Sequence, residues 1–184
     1  MEKFADVMRD AILALPQDMK AMLRIAEDPD LEDEQRAMVA GALLHVLSGA
    51  NAIPGLRGML AYVDDVIVLR LVLERLERDA PDVIAPHRAS SPELLEPLAS
   101  QLASIRAFLG ESLSVLEKQI DGLSKLSHQG HSAQQCAHDE EAGTWLYDAV
   151  HEALVNELDF DEDEVARAVK GVDQIPAALS QRLS

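Results

Sequence analysis

Three groups of residues in this 184-residue chain have side chains and spacings that suit chemistry. The densest is the segment SHQGHSAQQCAHDEE at 127–141, which holds three of the six histidines and the only cysteine. His128, His131, Cys136 and His138 fall in the order His-x2-His-x4-Cys-x-His, and imidazole and thiolate are the usual zinc donors. Zinc modules usually carry two ligand pairs on separate knuckles. Donors crowded into eleven residues need a tightly folded loop, with Asp139 or Glu140 as supporting carboxylates. The competing reading is a polar connector that is merely rich in histidine. The second group is Asp64-Asp65, two adjacent carboxylates at the mouth of the apolar run Val66 to Leu73. They suit metal or proton chemistry, or they open a helix by placing negative charge against its dipole. The third is His45, beside an apolar stripe, where a partly buried histidine bonded to backbone is the favoured reading over a ligand.

Other arrangements fail on inspection. His151-Glu152 has no second histidine four residues after the first, so the zinc-protease motif is absent. Asp159 to Lys170 imitates a calcium loop but has Glu164 where that loop needs glycine and Lys170 where it needs glutamate. Cys136 lacks the framing residues of a nucleophile, and there is no glycine-rich phosphate loop or nucleophile elbow.

The elements that must carry these groups are helical. Apolar residues make up 48% of the chain and aromatics only 3%, and the apolar content recurs at threes and fours. Phe4, Val7, Met8, Ala11, Ile12 and Leu15 predict a first helix stopped near Pro16. Met19, Met22, Leu23 and Ala26 predict a short second one. A third, capped by Asp30, buries Met38, Val39, Ala42, Leu43, Val46 and Leu47 and stops at Gly49. Gly49, Pro54, Gly55 and Gly58 forbid its continuation. A fourth then runs from about Tyr62 to Asp79, apolar on both faces and therefore central. Val83 to His87 read as a connector. Ser91 and Pro92 open a long helix whose stripe (Leu95, Leu98, Leu102, Ile105, Leu109, Leu113, Leu116, Ile120, Leu123) spans about four heptads. Bundle packing is favoured for it over a coiled-coil interface, since charges flanking the stripe are sparse. Ala142 to Leu158 form another amphipathic helix, with Trp145 buried or at an interface. Asp161 caps a short helix ending near Gly171, and Ile175, Leu179 and Leu183 share a face of the last segment.

The stretch from Asn51 through Asp65 into the apolar helix resembles the YkvA-like family of bacterial domains of unknown function. That family's signature reads roughly Asp-x-Ile-Pro-Asp-x-x-Pro-x-x-Gly-x-x-Asp-Asp. Asn51 stands at its first Asp, Ile53 and Pro54 match, and Asp64 and Asp65 match the terminal pair. Gly55, Gly58 and Ala61 depart from it. The resemblance covers residues 48–76 and implies a helical fold with no settled activity. If the family's polar positions form an acidic cluster, Asn51 and Gly55 have lost two of its carboxylates here.

The expected fold is therefore all-α, a bundle of about seven helices with one long member. It divides into an N-terminal part (1–88) and a C-terminal part (89–184), or forms one continuous bundle. Sixteen basic against 33 acidic residues give a net charge of −17. That disfavours nucleic acid and anionic membranes as partners. A single cysteine and the absence of a signal-peptide pattern at the N-terminus suit the cytoplasm. The function this suggests is a non-enzymatic interaction or regulatory module, bound to another protein or to a second copy through Leu102, Ile105, Leu109, Leu113, Leu116 and Ile120, with no cofactor. The alternative is a metal-binding protein or metal-dependent enzyme, using zinc in the 128–138 loop or a cation at Asp64-Asp65.

Overall fold

A computed structural model describes residues 3–183 of the chain, and within them the fold is all-α, as the periodicity requires. Helix α1 (Phe4–Ala26) is continuous through Pro16, so the expected break into two helices does not occur. Proline removes one intrahelical hydrogen bond and crowds the preceding turn, at a cost of about 3 kcal/mol. Beyond it Met19, Met22 and Ile25 continue the stripe into the core. Each contributes about 1.5–3 kcal/mol by burial, which outweighs the break.

Helix α2 (Asp33–Ser48) begins at Glu32, whose reciprocal hydrogen bonds with Gln35 form a capping box. Asp30, the expected cap, instead lies in the preceding turn, its N–H donating to Asp28 Oδ1 at 2.9 Å. Arg36 fastens that turn, donating from Nε to Ala26 O and from Nη2 to Asp28 O and Leu31 O. Residues 37–46 of α2 are all buried, and the helix stops at Gly49 with φ +68°, a conformation open to glycine. A loop and one 3-10 turn (Gly58–Ala61) reverse the chain into α3 (Tyr62–Asp79), which occupies the predicted span. Every residue from Val63 to Leu73 is buried, Arg70 included. This is the central helix.

Beyond α3 the expected connector is a helix, α4 (Pro81–Ser90), with Pro81 in its first turn. The single long helix is also corrected. It is divided into α5 (Pro92–Leu95), α6 (Leu98–Leu109) and α7 (Leu113–Gly122). Pro97 lacks the N–H that would join the first two. Gly110, at φ +53°, turns the chain between the second and third. These bends wrap the heptad stripe around the core, and all of its leucines and isoleucines are buried.

A 3-10 turn (Leu123–Lys125) follows. Then Ser127–His128 and His131–Ser132 form a two-residue antiparallel hairpin, its turn made by Gln129 and Gly130 at positive φ. Helices α8 (Ala133–His138), α9 (Glu140–Asn156) and α10 (Glu162–Ala168) are capped by Ser132, Asp139 and Asp161. The last of these is the predicted cap, with Glu164 N–H donating to Asp161 Oδ1 at 2.9 Å. A 3-10 segment and α11 (Ile175–Ser180) end the fold. Ile175 and Leu179 are buried, whereas Leu183 is 45% exposed and leaves the face it was expected to share. One apolar cluster runs from Phe4 to Leu179 and takes in both parts of the chain. No helix among the described residues is long and apolar enough to cross a membrane.

Candidate metal centre

The reversal between α2 and α3 sets the last turn of one helix against the first turn of the other. That brings His45 to Asp64 and Asp65. His45 is fully buried and donates from Nε2 to Asp64 Oδ2 at 2.6 Å, so its partner is a carboxylate and not the backbone expected from the sequence. The other oxygen of Asp64 accepts from Ala52 N–H at 3.1 Å. Both Asp64 oxygens are thus engaged, one by α2 and one by the loop that follows it.

Asp65 is placed differently. Its side chain is 6% exposed, and Oδ1 stands 3.6 Å from His45 Nε2, beyond hydrogen-bonding distance. Among the described residues neither this oxygen nor His45 Nδ1 has a hydrogen-bond partner. Burial, and then the neighbouring charge of Asp64, hold the Asp65 carboxyl well above the usual carboxylate range. Two adjacent buried carboxylates cannot both ionise cheaply unless something positive joins them. One donor atom from each of the three residues lies within 4.8 Å of the others, the only such grouping among the described residues.

Asp65 also lines a cleft of about 320 Å³, with Ser48, Asn51, Gly58 and Tyr62 around it and Glu157 from the end of α9 at the rim. Asn51 Oδ1 is buried without a partner among the described residues. The Tyr62 ring packs edge-on to Phe160, centroids 4.9 Å apart. Its hydroxyl is pushed up by burial and by the charges of Asp65 and Glu157. Of the other positions in the family-like signature, Ile53 is a fully buried anchor and Pro54 lies in the turn before Gly55, whose φ is +81°.

The His/Cys segment does not assemble. His131 stacks flat on Trp145 at 3.9 Å, with Nδ1 donating to Gln129 O. His128 lies 6.4 Å from the same indole. Cys136 is half-buried, and burial pushes its thiol up, opposite to what a thiolate ligand needs. His138 is 3.8 Å from Asp33 on α2. The capping box at Ser132 starts α8 here, and residues two apart on a helix point to different sides. No three of the four donors come within reach of one ion.

The proposed interface stripe is consumed as well. Leu102, Ile105, Leu109, Leu113, Leu116 and Ile120 are at most 4% exposed and present no face to a second chain. A signal for the His45, Asp64 and Asp65 cluster was available in the sequence. A histidine in the last turn of one helix and an acid pair in the first turn of the next become neighbours when a short loop makes the helices antiparallel. No protein-family model, curated protein or solved structure matches this chain.

Proposed function

We propose that this protein is a helical regulatory module that binds one divalent cation at His45, Asp64 and Asp65. The observation that carries this reading is the buried, unpaired Asp65 Oδ1 beside an intact His–Asp pair. A proton on Asp65 relieves the site in the absence of metal. A cation would relieve it better, neutralising both carboxylates at once. One imidazole and two carboxylates, without thiolate, suit Mn²⁺, Fe²⁺ or Zn²⁺ over Ca²⁺ or Mg²⁺. Metal bonds of about 2.1 Å to nitrogen and oxygen need donors about 3 Å apart or more. His45, Asp64 and Asp65 would hold such an ion, which would displace the proton now shared between His45 and Asp64. Binding ties α2 to α3 at the centre of the bundle, so occupancy is read out as stability of the whole domain.

Elemental analysis of protein purified without an affinity tag tests this, together with thermal denaturation in Mn²⁺ or Zn²⁺. One equivalent of metal is expected. At 100 times the dissociation constant the gain is about 2.7 kcal/mol, or about 5–10 °C for a chain of this length. Asp65→Asn should abolish both effects. Absence of bound metal, with an unchanged melting curve, would sink the reading.

A further inference from the structure

We infer that the outer face of α9, with the groove where α1, α8 and α9 meet, docks a lysine- or arginine-rich amphipathic segment of another protein. The inference is independent of the cation site. The groove has a volume of about 260 Å³, and Leu23, Cys136, Gly143, Leu146 and Tyr147 are among its walls. That is below the range of about 300–1,000 Å³ usual for small-molecule sites, and it suits one or two aliphatic side chains. Two of the three large apolar side chains left exposed among the described residues, Tyr147 and Val155, lie on α9. His151 falls between them, and positions four apart run along one side of a helix. Its ring packs on Tyr147 with centroids 4.1 Å apart, and its Nδ1 donates to Tyr147 O at 2.9 Å. Groove and ridge therefore share Tyr147, a rigid aromatic of the kind that anchors interfaces.

Charge chooses the occupant. Glu27 and Glu140 line the groove and no basic side chain does. Between Lys125 and Arg167 the chain carries eleven aspartates and glutamates, all exposed, and no lysine or arginine. Asp148 and Glu152 follow Tyr147 and His151 directly in this run. A second copy of a chain with net charge −17 is repelled by such a face, and so is nucleic acid. A purely hydrophilic cation leaves the groove and the ridge unfilled. A segment with apolar residues on one side and cations beside them fills the groove and neutralises its rim, as amphipathic helices do in the grooves that bind them.

Fluorescence anisotropy tests this with a labelled lysine–leucine amphipathic peptide of about 18 residues, five helical turns. A glutamate–leucine counterpart and a lysine oligomer of equal length are the comparisons. The full chain should bind the first, ignore the second and bind the third about tenfold more weakly. Tyr147→Ala, which removes an exposed ring, should weaken the first peptide about tenfold, and so should alkylating Cys136 with N-ethylmaleimide. Glu27→Gln with Glu140→Gln should also weaken it and reduce its salt dependence. Glu96→Gln with Glu111→Gln removes the same charge from exposed positions outside the groove lining and should change neither. No binding of the lysine–leucine peptide overturns the inference. Equal binding of the lysine oligomer does so too, as does parental affinity in both Tyr147→Ala and the alkylated protein. A dimer in sedimentation that Tyr147→Ala dissociates would make a second copy the occupant and overturn it as well.

Discussion

Asp64 Oδ2 accepts from His45 Nε2 at 2.6 Å while Oδ1 of the same carboxylate accepts from Ala52 N–H at 3.1 Å. A single fully buried side chain therefore joins α2, the loop after it and α3. Asp64→Ala leaves the His45 ring and the Ala52 amide without partners in the core. Leaving a buried donor unpaired costs about 1–3 kcal/mol, and with two such donors urea denaturation of this variant should show a loss of about 2–6 kcal/mol. A loss below about 1 kcal/mol would mean that the loop does not depend on Asp64.

Asp65 predicts a pH dependence of the opposite sense to an ordinary salt-bridged acid. Its folded-state value is raised by burial and by Asp64, so in metal-free protein the folded state binds the proton more tightly than the unfolded chain. The contribution to stability is fully present below the unfolded value near 4. It is lost as pH rises towards the raised folded value. Protein treated with chelator should become less stable as pH climbs through this window. Asp65→Asn, which stays neutral, should flatten the profile relative to the parent. Saturating Mn²⁺ should reverse the slope, because the metal competes with the Asp65 proton. Denaturation midpoints across pH, with and without Mn²⁺, measure all three.

The helical class was legible in the sequence, as were the span of α3, the stop of α2 at Gly49 and the start of α10, because local apolar spacing and caps such as Asp161 act within a few residues. The errors share one cause. Pro16 was read by local preference, yet the burial of Met19, Met22 and Ile25 beyond it carried the helix through. The heptad stripe gave the right residues and the wrong shape, since Gly110 at φ +53° bends it inward. His45 could not be assigned from its own helix, because its partners lie 19 and 20 positions away and only the loop reversal brings them close. The clustered histidines of 128–138 were conspicuous in sequence. Spacing along the chain says little about convergence once a hairpin and a helix divide the segment.

Leu109 separates self-association from core packing. It is 3% exposed and sits where α6 meets the Gly110 bend. Leu109→Asp places an unpaired carboxylate in the apolar cluster, and losing the leucine alone costs about 2–5 kcal/mol. The expected outcome is a large loss of stability at every protein concentration. A dimer that dissociates into a folded monomer of parental stability would contradict the burial.

Arg70 and Asp18 form a buried ion pair at 2.8 Å between α3 and α1, and Arg70 Nε also donates to Gln101 Oε1 on α6. Burial pushes the Asp18 carboxyl up while the Arg70 guanidinium draws it back, and a guanidinium stays charged at any ordinary pH. Asp18→Ala strands that charge in the core, at a cost of about 3–5 kcal/mol. Replacing both partners, as Asp18→Leu with Arg70→Met, should recover most of it, because the double change strands no charge. A double-mutant cycle from chemical denaturation gives the coupling, and additive losses would show that the pair does not act as one.

Gly41 tests a close approach between α2 and the turn after α7. A Cβ built there would lie 1.9 Å from Leu123 O and 2.4 Å from Leu123 C. Both are backbone atoms, which cannot rotate aside as a side chain would. Gly41→Ala improves the intrinsic helix preference of α2 by up to about 1 kcal/mol. The clash must nevertheless displace the turn at Leu123–Lys125, and overpacking of this kind costs about 1–3 kcal/mol. The displacement should reach α8, because Ala133 N–H donates to Leu126 O at 2.8 Å. Hydrogen exchange should accelerate at that amide in particular. Gly122→Ala is the matched control: nothing lies within 4 Å of its Cβ position and its φ is −94°, so that variant should gain about 0.4–1 kcal/mol. If both alanines stabilise, α2 and the 123–125 turn are not in contact as described.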